Sequence, residues 1–528
     1  MQHLNIITRR GFLDRSFKTG LGVALSTLVD IPFVVKKALA EGNIGLNGKK
    51  LLFIFLRGGV DGLNTVVPVL DSAYNATNRP TLLIPQDVGT NYSDTGACDF
   101  PVSGVGTATF SYLNAIRLGN GFSGLHPAMK FLAPVYNAGQ LAFIHRVGYP
   151  KQSRSHFDSQ AYWENGLPNN KTTREGIFYR TIIESGLAER SPLTGVSFQS
   201  ALPLLLRGSN AAMTNLSDPT RYDLMGVPNN TAGNLKADTA LINSIPHPFP
   251  AKRNRDLLQL QYENLTSTLS IFAGIDFSEN GNTFVDDTNS DGGTAPYHLF
   301  PTTQSKNGGY ALYGNNTGKY VVDSGAYSFF KNLKAAALVL NKTDAVIAGT
   351  EFSGFDTHNA QGGVTGAHAN LLQRVGWGIY ALQKYFTNYA DKVSWNNVVV
   401  VTLTEFGRTT VQNANGGTDH AEAGVMMVAG GSVKGGAYGC GPSDPIPWIP
   451  GSAGSMFGIS NRYLKRVIDY RSVLGEIIRD HLGATQGQIN RIIPGYSQES
   501  AEHLQFGGTV TAPLDSQNTQ ILGEIGII

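Results

Sequence analysis

Five short apolar runs, each spilling into a loop of glycine, acids and histidine, narrow the fold of this chain more than any other feature. They lie at 50–56 (KLLFIFL), 141–147 (LAFIHRV), 345–349 (AVIAG), 397–403 (NVVVVTL) and 425–429 (VMMVA). Each is too short for an ordinary helix and too apolar for a strand with one wet face. They therefore read as strands buried on both sides. Helix-like patterns separate them: 127–137 precedes the second run, the Ala/Leu-rich 327–340 the third, and 371–389 the fourth. This alternation predicts an α/β fold with a largely parallel central sheet flanked by helices. The stretch 462–482 reads as a terminal helix closed by Gly483.

Between the halves the texture changes. Residues 208–250 and 276–325 are rich in Asn, Gly, Thr, Ser and Pro, with a helical pattern at 254–272 between them. We expect a loop-rich insertion or cap over about 208–325, carried on an α/β domain spanning 41–485, with a polar tail at 486–528. The 62 glycines and a charged fraction of only 15 % fit a turn-rich globular chain and exclude a coiled coil or a disordered tail.

The first forty residues have a different character. Thr8-Arg9-Arg10-Gly11-Phe12-Leu13 sets a pair of arginines before apolar residues, a mildly apolar stretch runs over 20–35, and Ala38-Leu39-Ala40 supplies a small-x-small site. Charged start, apolar middle and small-residue end are the order of a signal peptide, and the paired Arg9 and Arg10 mark the twin-arginine route. Cleavage after Ala40 is expected, which puts the mature protein in the periplasm or outside the cell. The twin-arginine export machinery is then a partner, and no stable membrane span remains after cleavage. Residues 1–40 hold six of the 41 Lys/Arg and two of the 39 Asp/Glu, leaving 35 basic against 37 acidic side chains. No basic run survives to suggest nucleic acid. Both cysteines, Cys98 and Cys440, fall in the mature part. An oxidising compartment permits a bridge between them, and two cysteines cannot build a thiolate metal cage.

In open α/β sheets ligands gather beyond the carboxyl ends of the strands. The first run exits into Gly58-Gly59-Val60-Asp61, the second into a loop carrying Ser153, Arg154, Ser155 and His156, the third into Asp356-Thr357-His358 and the fourth into Glu405-Phe406-Gly407-Arg408. Asp419 and His420 precede the fifth. Taken singly, each residue reads as a turn, cap or ion-pair residue. Gathered at one edge, they point to a shared polar site. Carboxylates mixed with imidazoles, without thiolates, suit Zn, Mn or Mg.

Laid side by side, these segments resemble the domain-of-unknown-function 1501 family of exported bacterial proteins. The matching stretches are LLFIFLRGGVDGLNTVVPV, GLHPAM, FIHRVGYPKQSRSHFDSQAYWENG, EFSGFDTHNAQGG, VVVVTLTEFGRTTVQNANGGTDHAEAGVMMVAGGSVKGGAYG and IDYRSVLGEIIRDHLG. That family is grouped with the alkaline-phosphatase-like superfamily of phosphatases and sulfatases, so the resemblance implies an alkaline-phosphatase-like fold. It also implies that Asp61, Asp356, His358, Glu405, Asp419 and His420 stand where that superfamily holds divalent metals. Ser153-Arg154 resembles the Ser-Arg of the sulfatase nucleophile motif. Pro150 then occupies the place of the sulfatase cysteine, and Phe406 that of a metal ligand. A nucleophile falls to Ser153 or Ser155, with His156 as base or ligand.

Two functions compete at this stage. One is a metal-dependent hydrolase of small phosphate or sulfate esters, in which Arg154 grips the anionic group. The other is a non-catalytic binding or assembly module at the cell surface that keeps the fold. A separate pattern, Asp287-Thr-Asn289-Ser-Asp291-Gly292, matches the opening of a calcium loop, although position twelve is His298 and not a bidentate glutamate.

Overall fold

The computed structural model describes residues 44–85, 114–187, 193–211, 213–218, 324–451 and 462–497, with shorter pieces between 268 and 321, and at 456–458, 504, 509–511 and 520–528. The export signal with Arg9, Arg10 and Ala40, the cysteine Cys98, the loop residues Asp287, Asn289 and Asp291, and most of the predicted helix 254–272 lie outside the described residues.

A single mixed sheet of eleven strands organises the rest. We number them in chain order: β1 Lys50–Arg57, β2 Leu141–Gly148, β3 Gly195–Phe198, β4 Thr214–Leu216, β5 Ile347–Ser353, β6 Val398–Thr404, β7 Gly424–Gly430, β8 Gly436–Tyr438, β9 Ile468–Asp469, β10 Thr509–Thr511 and β11 Gln520–Leu522. The spatial order is β10-β11-β9-β2-β7-β6-β1-β5-β3-β4, with β8 also pairing with β2. All five apolar runs are strands of this sheet, and β1 lies near its centre between β5 and β6, parallel to both. Alternate residues of β1 serve two cores. Leu52, Ile54 and Leu56 pack on one face, and Leu51, Phe53 and Phe55 on the other. Burying each such side chain contributes about 1.5–3 kcal/mol, which explains why the run carries no polar alternation.

Helices cover both faces. Over the first pack α3 (Ser324–Lys342) and α4 (Ala367–Asn388), through Leu333, Leu340, Leu372 and Ile379. Against the second lie α1 (His156–Asn165), α2 (Ile177–Ser185), α5 (Tyr470–Glu476) and α6 (Gln486–Ile492), through Trp163, Phe178, Leu474 and Ile489. The predicted helix at 127–137 is a 3-10 segment, Pro127–Leu132, joined to the short helix Ala133–Asn137. The predicted helix at 462–482 begins only at Tyr470, because residues 468–469 are spent on β9. The C-terminal segment adds β10 and β11 to the sheet edge, and Glu476 accepts the backbone N–H groups of Ile525 and Ile527. Cys440 is buried. No helix among the described residues is long and apolar enough to cross a membrane.

One orientation matters for function. β7 runs antiparallel to both β6 and β2, while β1, β5 and β6 run together. Its reversal brings the start of β7, and not its end, to the edge where those strands finish. That is why residues before the fifth run share a neighbourhood with residues after the others.

Candidate metal centre

The first turn after β1 is built by glycine. Gly58 sits at φ +117°, and a Cβ there would lie 2.3 Å from the backbone nitrogen of Asp356. The loops after β1 and β5 can touch only because that side chain is missing. The amides of Gly58 and Gly59 then point at Glu405: Gly58 N lies 2.9 Å from both carboxylate oxygens and Gly59 N 2.9 Å from one. Glu405 is buried, and its negative charge is held by these backbone donors.

Asp61 is equally committed. It caps the short helix Gly62–Asn64 by accepting from Leu63 N at 3.1 Å and Asn64 N at 3.4 Å. Arg79 grips both of its oxygens, at 2.7 and 3.2 Å, and Gln361 Nε2 donates to Oδ2 at 2.7 Å. Burial pushes the Asp61 pKa up, but the Arg79 guanidinium outweighs it and leaves a value of about 2. Its lone pairs are used, so it takes no part in the arrangement described next. The resemblance pointed to this aspartate as a ligand; Arg79 and Gln361 give it a different occupation.

The remaining residues converge. Asp356 Oδ1 lies 3.2 Å from His358 Nε2 and 3.4 Å from His420 Nε2, and those two imidazole nitrogens are 2.9 Å apart. Its other oxygen, Oδ2, is 3.5 Å from His156 Nε2. One ligand atom each from His156, Asp356 and His420 falls within 4.8 Å of the others. His156 is the first residue of α1, set there by Ser155 capping the helix through Asp158 N. The same turn places Ser153 Oγ 3.2 Å from Ser155 N, and neither serine hydroxyl hydrogen bonds to the His/Asp group.

Neighbours orient these groups. The Nδ1–H of His420 donates to the carbonyl of Arg154 at 2.8 Å, which leaves Nε2 with its lone pair toward the cluster. His358 Nδ1 lies 3.2 Å from Asp419 Oδ1, and Asp419 also accepts from Asn413 at 2.9 Å and from Arg462. The buried Arg408 donates to the carbonyls of Gly59, Gly58, Phe355 and Thr418, and to Asp356 Oδ1 at 2.6 Å. Phe406 stands behind the imidazoles, its ring 4.5 Å from His420 and 4.7 Å from His156 between centroids.

The electrostatics follow from these contacts. The His156 pKa is raised, chiefly by the Glu405 carboxylate 3.8 Å from Nδ1, against the effect of burial. Burial lowers that of His420, and the Arg408 charge adds to it. Burial alone would raise that of Asp356, but Arg408 holds it below the usual carboxylate range. His156 Nε2 is itself a buried nitrogen with no hydrogen-bond partner, facing the carboxylate across a gap. A buried imidazole nitrogen without a hydrogen-bond partner, a carboxylate oxygen and a second imidazole held in the lone-pair tautomer form a donor set that fits one divalent cation, and imidazole-rich sets suit Zn over Mg.

Sequence reasoning thus named the residues that converge, together with Asp61, Glu405, Ser153, Ser155 and Arg154, which are engaged elsewhere. It missed Arg79 and Gln361, which lie in loops without periodicity, and Arg462 and Tyr463, which sit in a stretch that reads as helix. Arg154, expected to face a ligand, pairs with Glu422 at 2.9 Å and stacks on Tyr463 at 3.8 Å from the ring centroid.

Comparison with known proteins returns a family model described as "Protein of unknown function (DUF1501)", matching residues 48–445. No curated protein and no solved structure matches the chain.

Proposed function

This chain belongs to the DUF1501 family of proteins of unknown function, and we propose that it is a metal-dependent hydrolase of phosphate or sulfate esters. The reading rests on one observation: one ligand atom each from His156, Asp356 and His420 lies within 4.8 Å of the others, and His156 Nε2 is buried without a hydrogen-bond partner. A divalent ion there, Zn or Mn before Mg, supplies Lewis acidity toward an ester oxygen. His156, Asp356 and His420 would hold it, with His358 beside them. Arg408 keeps Asp356 ionised, and the Arg154 carbonyl keeps His420 in its ligating tautomer. Phe406 excludes water behind the imidazoles. Arg154 binds the anionic group of the ester. A His/Asp site at the carboxyl edge of a largely parallel sheet supports an alkaline-phosphatase-like architecture, reduced to one ion because Asp61 and Glu405 are held by Arg79 and by backbone amides. The Arg9-Arg10 pattern supports export by the twin-arginine route to the periplasm, with cleavage after Ala40.

The test is metal content and turnover together. Protein purified without chelators is expected to carry close to one zinc or manganese per chain and to cleave an aryl phosphate or aryl sulfate. His156→Ala and His420→Ala should lose both properties. Metal-free, inactive protein that no added ion restores would overturn the proposal. The occupation of Asp61 and Glu405 favours a second reading, a binding or assembly module without turnover. That reading gains if alanine at Asp356 and His358 leaves the cellular phenotype intact while deletion of 276–325 abolishes it.

A further inference from the structure

We propose that Arg154, Tyr463 and Arg462 form an anion-binding subsite on the rim of the ion position, and that its second wall comes from a segment beyond the family-matched residues. The match ends at residue 445, yet the segment at 462–469 returns to the site. Arg462 donates to Asp419, whose other oxygen holds His358, and the Arg462 carbonyl accepts from Thr410 N at 3.0 Å and Thr410 Oγ1 at 2.9 Å. Deeper in the same segment, Arg466 Nη1 donates to the Tyr149 carbonyl at 2.6 Å and ties it to the loop after β2. The Tyr463 ring neighbours two guanidinium groups, with Arg154 at 3.8 Å and Arg462 at 5.8 Å from its centroid.

Three features make this pair a receptor rather than a structural contact. Both side chains are partly open to solvent, at 38 % and 44 % exposure, unlike Arg79 and Arg408 at 0 %. Each donates one Nη–H to a protein carboxylate, Glu422 or Asp419, and a guanidinium carries five donors in all. Both residues also border the ion position, Arg154 through its backbone carbonyl on His420 and Arg462 through Asp419, which in turn holds His358. The planar forks match tetrahedral oxyanions, and stacking on Tyr463 fixes the Arg154 plane at low entropic cost. The chemistry selected is a small oxyanion, the phosphate or sulfate group of an ester, held between two arginines while its ester oxygen faces the ion. This rests on the ion position proposed above and adds residues that position does not require.

Titration calorimetry with inorganic phosphate, and separately with sulfate, on the full chain loaded with zinc tests it. Arg462→Gln and Tyr463→Ala should each weaken phosphate binding by at least about tenfold, with zinc stoichiometry and far-UV dichroism unchanged. Arg491→Gln, which breaks a remote surface pair with Glu184, should change nothing. Phosphate affinity equal to wild type in both rim variants overturns the subsite, as does the absence of phosphate and sulfate binding in the wild type. Should zinc fail to bind at all, the hydrolase reading falls, and the same comparison in metal-free protein still decides the subsite.

Discussion

Two sets of acids occupy the same edge of the sheet and are treated in opposite ways. Asp61 and Glu405, which follow β1 and β6, are buried and saturated with donors. Asp356, which follows β5, has a side chain 48 % exposed and shares its oxygens with Arg408 and a ring of imidazoles. The residue types and the strand-end positions are alike. What differs is the supply of fixed donors: backbone amides freed by a Gly-Gly turn for Glu405, and a buried arginine with an amide for Asp61. A carboxylate surrounded by such donors is part of the scaffold, whereas one bordered by imidazole lone pairs is available to a cation.

The largest effect should come from breaking the scaffold member. Asp61→Ala leaves Arg79 buried with no counter-charge, and loss of one partner of a buried pair typically costs about 3–5 kcal/mol. Denaturant unfolding should show this, whereas a loss below about 1 kcal/mol would blur the contrast between the two sets. Next comes removal of the ion. With the metal at a hundred times its Kd, chelation should lower the stability of the wild type by about 2.7 kcal/mol, and thermal unfolding of His420→Ala should not respond to chelator. An equal response in both proteins would place any ion elsewhere.

Acid sharpens the same comparison. The folded pKa of Asp61, about 2, lies below the ordinary aspartate value of 3.8. Its contribution is therefore complete above about pH 4 and lost as pH falls through 2. That contribution is roughly 2 kcal/mol, and it should disappear from the acid-unfolding profile of Asp61→Asn. The smallest effect belongs to the open set. His156→Ala removes a half-buried imidazole whose Nε2 has no hydrogen-bond partner, and metal-free stability should shift by less than about 1 kcal/mol while metal binding is lost. A large loss of apoprotein stability would make His156 a scaffold residue like Asp61.

The central sheet was legible because its strands are buried on both faces, so residues 50–56 and 397–403 carry an uninterrupted apolar signal. The short outer strands β3, β4 and β8 to β11 were not, since two to four residues give no periodicity. Nor does a sequence encode strand direction: 425–429 reads the same either way, and only the packing of β7 between β6 and β2 explains how Asp419 and His420 join the edge. At the site, Asp356, His358 and His420 were readable as strand-end residues. The retirement of Asp61 was not, because Arg79 and Gln361 come from loops separated from it by 18 and 300 positions. Arg462 and Tyr463 were hidden for a similar reason: a helix-like composition masks an extended return to the sheet edge.

X-ray absorption at the zinc edge, on protein carrying one equivalent of zinc, addresses the shared cation position most directly. The expected spectrum shows a nitrogen and oxygen shell with imidazole scattering from at least two histidines, losing one imidazole in His420→Ala and again in His156→Ala, and unchanged in Arg491→Gln. A spectrum that is the same in the wild type and in both histidine variants would mean that these side chains do not hold the ion.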